Sequence, residues 1–146
     1  MKNNILKSIL IFSTFLPGFA WAEEGEAPKT RIGPGKAVVE ATMENGIRLS
    51  EKAAHNLELH FSPIKQSGSV TVPTTALVKF QDFYAIYRKR DGWFKMIEVE
   101  PRVTNGTSVI SSKEIKVGDE IVIVNADLLR VVDLDVWGPE ADACVD

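Results

Sequence analysis

The sequence predicts a mainly β domain, a small barrel or roll of antiparallel strands with one short helix. Three observations carry this. Apolar runs are short and separated by turn signals. Asp91-Gly92 and Asn105-Gly106 each sit between strand-like segments, the pattern of tight hairpins. Glu120 to Val124 is a β-branched run without polar alternation, as in a strand buried on both faces, entered through a turn at Val117-Gly118-Asp119.

Residues 1–22 read as a secretory signal peptide. Lys2 and Lys7 precede a mainly apolar stretch from Ile5 to Phe19, and Ala20-Trp21-Ala22 offers small residues for cleavage. Residues 23–35 read as a flexible leader rich in Gly, Pro and charge. The expected address is the periplasm. Removal of two lysines leaves 15 basic against 20 acidic residues, a net charge of −5. That balance argues against a nucleic-acid partner, which requires a basic patch. The single cysteine, Cys144, excludes an internal disulfide, so packing must stabilise the fold.

The domain is expected over 36–132. Ala37 to Val39 opens a strand, Asn45-Gly46 turns it, and Ile47 and Leu49 return. Ser50 is placed to cap a short helix from Glu51 to Leu57, since its hydroxyl can accept from an amide of the first turn. Leu57, Leu59 and Phe61 alternate with Glu58, His60 and Ser62 as a half-buried strand, stopped by Pro63. Val70 and Val72 start another, in which Pro73 implies an edge or a bulge because proline cannot donate to a ladder. Ala76-Leu77-Val78 continues the apolar run.

Tyr84 to Arg90 and Trp93 to Val99 form the clearest hairpin. Its register sets Arg90 against Trp93, Ile86 against Ile97 and Tyr84 against Val99. One face carries Tyr84, Ile86, Ile97 and Val99. The other, with Ala85, Tyr87, Lys89, Phe94, Met96 and Glu98, is more apolar than a solvated face requires; a second core layer of a closed barrel covers it, or a partner does. Glu100 to Ile110 folds as a second hairpin about Asn105-Gly106, whose match to a glycosylation sequon is secondary to its turn chemistry. Leu128 to Val132 fits a last strand or a short helix equally. Residues 133–146 read as an acidic, frayed tail.

Candidate chemistry is sparse. No nucleophile elbow, phosphate loop or zinc-protease motif occurs, and His55 and His60 fall at surface positions, so the chain is expected not to be an enzyme and to need no cofactor. His55, His60, Met43, Met96 and Cys144 are the available softer metal ligands, but their spacing matches no metal site. Against the acidic background, Arg88, Lys89 and Arg90 cluster beside Trp93 and Phe94. Arg88, Arg90, Trp93 and Phe94 are therefore the candidate partner-binding residues, because arginine and tryptophan are favoured at interface hot spots. The competing reading is that the cations blunt the hairpin against edge aggregation.

The order of these pieces resembles the membrane-proximal domain of periplasmic adaptor subunits, the HlyD-type membrane fusion proteins of RND-type tripartite efflux systems. Val72-Pro73-Thr74-Thr75-Ala76-Leu77-Val78 is similar to the segment that opens the family's C-terminal half. Tyr84 to Val99 resembles its hairpin, Ile115 to Val122 its Gly-Asp turn and strand, and Ile47 to Leu59 its upstream segment. A full adaptor inserts a lipoyl-like domain and usually a helical hairpin where this chain has only Ile64 to Ser69, and Val117 stands where the family often has proline. The resemblance implies a stand-alone membrane-proximal module that docks on an inner-membrane efflux transporter or on a full-length adaptor. A periplasmic metal-binding protein or metallochaperone for a metal efflux system is the alternative.

Overall fold

Asp91 and Gly92 both adopt positive φ, +50° and +81°, the geometry of the two-residue turn that matches strand twist. The hairpin they close, β6 (Phe83–Arg90) with β7 (Trp93–Val99), is the spine of the molecule. Its register pairs Arg90 with Trp93, Ile86 with Ile97 and Tyr84 with Val99, as the sequence predicts. The structure, a computed structural model, describes residues 31–138. The signal peptide expected over 1–22, most of the leader, and the end of the tail with Cys144 lie outside the described residues.

Strands β1 (Val38–Thr42) and β2 (Gly46–Leu49) add to one side of the hairpin, and β10 (Glu120–Val124) with β3 (His60–Pro63) to the other. The resulting order is β1-β2-β7-β6-β10-β3, with β5 (Val78–Phe80) also on β6. β4 (Ser69–Pro73), β9 (Thr107–Ser111) and β8 (Arg102–Thr104) form a separate three-stranded sheet in the order β4-β9-β8. β4 is an edge strand, which is where Pro73 is tolerated. A 3-10 turn over Thr74–Ala76 carries the chain from β4 to β5.

All the strand pairs within the two sheets are antiparallel and the fold is mainly β, as expected, but the sheets do not close into a barrel. The reason is visible in the packing. Tyr87, Phe94, Val122, Val38, Ile47 and Leu49 face one core, which is covered by two helices. Ile86, Ile97, Val99 and Ile121 face a second core, covered by Val72 and Ile110 of the small sheet together with Ile64 and Ile115. Both faces of the large sheet are thus buried by separate layers, and closure is not needed to hide either. The apolar Tyr87–Phe94 face is covered by the chain itself, though by helices rather than a barrel wall.

Helix α1 (Glu51–Asn56) follows Ser50, whose Oγ accepts from the Ala53 amide at 3.2 Å. Helix α2 spans Ala126–Trp137. It resolves the open reading of Leu128 to Val132 in favour of helix, and it corrects the tail expected from residue 133, because Asp133 to Trp137 are helical and Asp133 is buried. The leader also joins the fold at its end: Ile32 bridges to Val38, and Arg31 pairs with Asp135 of α2 at 2.6 Å. Among the described residues no helix is long and apolar enough to cross a membrane.

Candidate functional site

Strand alternation puts Arg88, Arg90 and Trp93 on one face of the hairpin end and Phe94 on the other. Each meets a different fate. Phe94 is 3 % exposed, stacks against Phe61 with ring centroids 6.2 Å apart, and belongs to the helix-side core. A partner cannot reach it, so its place among the docking residues is corrected: the hydrophobic term that buries an aromatic ring won over the interface role. Arg88 is 6 % exposed and donates through Nη1 to the Glu114 carbonyl at 3.3 Å, while its Nε is buried without a partner among the described residues. Burial, then the neighbouring Arg90 charge, hold its guanidinium below the ordinary arginine value. It too is withdrawn from any contact surface.

Arg90 is the better placed cation, yet it is committed within the chain. Its Nε and Nη2 donate to the two carboxylate oxygens of Asp119 at 2.6 and 2.7 Å, a fork-on-fork geometry that fixes both groups. Asp119 Oδ2 also accepts from the Lys116 amide at 2.7 Å, closing the turn that Gly118 makes at φ +92°. Burial pushes the Asp119 carboxyl upward, but the Arg90 hydrogen bond, the Lys116 amide and the charges of Arg90 and Arg88 outweigh it, and the net shift is downward. Lys95 holds Glu114 at 3.0 Å, and Lys89 holds Glu120 at 2.8 Å while lying over the Phe61 ring at 4.1 Å. The basic run of the hairpin therefore clasps the segment from Glu114 to Glu120.

Trp93 is partly buried and keeps some of its surface accessible. The Arg48 guanidinium lies 5.8 Å from its ring centroid, from the strand residue directly paired with it, and Arg48 reaches Glu40 at 3.4 Å. The tip of the hairpin accordingly presents an indole with a cation beside it, on a backbone pinned by β2 and by the Arg90–Asp119 pair.

Sequence reasoning missed Asp119 and Glu114 as the partners of these cations, since they lie 29 and 24 residues away from Arg90. The available signal was Gly118-Asp119, a turn in which a carboxylate commonly accepts a local amide. His55 and His60 are exposed, one late in α1 and one at the start of β3. Among the described residues no three His, Cys, Asp or Glu side chains come together as a metal site requires. Comparison of the chain with family models, with curated proteins and with solved structures gave no match.

Proposed function

We propose that this chain is a non-enzymatic, exported adaptor-like module of a tripartite efflux system, which docks on an inner-membrane transporter or on a full-length adaptor through the tip of its β6–β7 hairpin. The observation that carries the docking edge is Trp93, partly buried yet still accessible, and flanked by Arg48 on a rigid strand end. An indole held in place loses little freedom on binding, and tryptophan and arginine are the residues most enriched where binding energy concentrates.

The resemblance to the membrane-proximal domain supplies the rest of the reading, and the topology supports it. Two of the four segments that carry the resemblance, Ile47 to Leu59 and Val72 to Val78, lie on either side of the short link between β3 and β4. The strands around that link are built into finished sheets: β3 pairs with β10 and β4 with β9. A domain that completes itself across that link has no need of the parts a full adaptor inserts there.

The test is crosslinking and co-purification of the tagged mature protein from envelopes of its own cells. Recovery of an inner-membrane transporter or an adaptor, lost in the double variant Trp93→Ala, Arg48→Ala, is the expected result. Recovery of neither from the wild type would overturn the docking role, and unchanged recovery by the variant would move the interface elsewhere.

A further inference from the structure

Among the described residues strand β7 has a free edge beside an open cleft. Because Arg90 and Trp93 close a two-residue turn, they form a hydrogen-bonded pair, and the alternation along the hairpin then turns the N–H and C=O groups of Phe94, Met96 and Glu98 away from β6. On that outer side β2 pairs only with Trp93 and Phe94, and its chain turns back at Gly46. Met96 and Glu98 thus present main-chain donors and acceptors with no strand opposite among the described residues.

A cleft of about 750 Å³ opens where β7 ends, its lining including Glu98 and Glu100, Arg102 and Val109 of the β8–β9 pair, and Ser111 with its β4 partner Ser69. β8 stops pairing with β9 at Arg102 opposite Val109, so Ser111, which pairs with Ser69 of β4 on its other side, has no strand partner on the β8 side, the side to which its backbone groups point, among the described residues. Two incomplete strand edges therefore border one cleft, where the chain crosses from the large sheet to the small one.

We infer that this cleft takes an extended polypeptide segment of a partner protein, added as a strand to the edge of β7, with alternating basic and β-branched residues. The hydrogen bonds come from Met96 and Glu98, and the sequence preference comes from the strand's two faces. A ligand residue opposite Glu98 lies on the same face with its Cβ about 5 Å away, so lysine or arginine is favoured there. Glu98 and Glu100 are exposed and make no ion pair among the described residues, which leaves both charges available. The flanking ligand residues fall on the opposite face, beside Val99, where an apolar side chain is favoured. This site is separate from the hairpin tip and does not depend on the docking role given to Trp93.

The experiment titrates the mature protein with a peptide of alternating lysine and valine and follows the backbone amides by NMR and hydrogen exchange. Protection of the Glu98 and Ser111 amides is expected. In the variant Glu98→Lys, Glu100→Lys the affinity should fall by about tenfold or more, and a glutamate–valine peptide should bind in its place. Both residues are exposed, so the variant should keep the fold. A peptide N-methylated on the edge that pairs should not bind. Equal binding by the N-methylated peptide, no change at either amide, or indifference to the charge reversal would each overturn the assignment, leaving the glutamates as guards against edge pairing.

Discussion

The hydroxyl of Tyr87 donates a hydrogen bond to the carboxylate of Asp133 at 3.0 Å, joining the middle of β6 to the third turn of α2. Tyr87 is wholly buried and Asp133 nearly so, and Arg130 stands 3.5 Å from the same oxygen while lying over the Phe80 ring at 4.0 Å. Burial first, then the Asp133 charge and hydrogen bond, drive the phenol far above its ordinary value. Burial also raises the Asp133 carboxyl, and the Tyr87 hydrogen bond and Arg130 charge only partly offset that. This contact fixes α2 over the helix-side core.

Tyr87→Phe keeps the ring and removes the donor, leaving a buried carboxylate short of a partner. The expected loss is about 1–2 kcal/mol in urea unfolding. A variant as stable as the wild type would mean that the hydroxyl does not hold α2.

Asp133 and Asp119 should shape the pH dependence of stability in opposite senses. The folded-state value of Asp119 lies below 3.8, so its contribution is complete above that pH and is lost as pH falls through the lower, folded value. Asp133 is raised above 3.8, so its contribution is complete below that pH and is lost as pH rises through the folded value. Relative to the wild type, Asp119→Asn should flatten the acid limb of the stability curve, whereas Asp133→Asn should gain stability as the pH is taken from 3.8 toward neutrality. Urea midpoints across the acid range separate the two. Parallel curves for the wild type and Asp133→Asn would show that Asp133 is not perturbed by the fold.

The adjacent residues Trp93 and Phe94 should behave differently. Phe94→Ala empties a core position and is expected to cost about 3–5 kcal/mol. Trp93→Ala removes a partly buried ring outside both cores and should cost roughly 1–2 kcal/mol, less than Phe94→Ala, while reducing partner capture. Thermal melts of both variants give the stability comparison, and a Trp93→Ala protein that unfolds as readily as Phe94→Ala would make Trp93 structural.

Two turn glycines at positive φ provide a graded test of steric limits. A Cβ on Gly46, at φ +90°, would collide with the Phe94 carbonyl oxygen and lie 2.9 Å from Lys95 Cα, so Gly46→Ala must shift the β2–β7 pairing. Gly118, at φ +92°, has nothing within 4 Å of such an atom among the described residues. Gly118→Ala should cost only the backbone strain, about 1–2 kcal/mol, and Gly46→Ala distinctly more. Equal losses in denaturant titrations would remove the steric argument.

Local chemistry made much of this fold legible in the sequence. Two-residue turns at Asp91-Gly92 and Asn105-Gly106 set the register of both hairpins, Ser50 capped α1 and Pro73 marked an edge, while of the run from Glu120 to Val124 only the middle is buried on two faces, Ile121 in one core and Val122 in the other, and Val124 is exposed. These are decided within a few residues, by backbone sterics and by the period of the side chains. Tertiary structure decided the rest. Leu128 to Trp137 became a helix because Leu129 could enter the core and Asp133 could meet Tyr87 across 46 residues. The cations of the hairpin became clasps because Asp119 and Glu114 arrive beside them from a distant turn, and the sheet stayed open because helices and a second sheet covered its two faces. Each of these outcomes depends on a partner far along the chain, whose arrival no local pattern encodes.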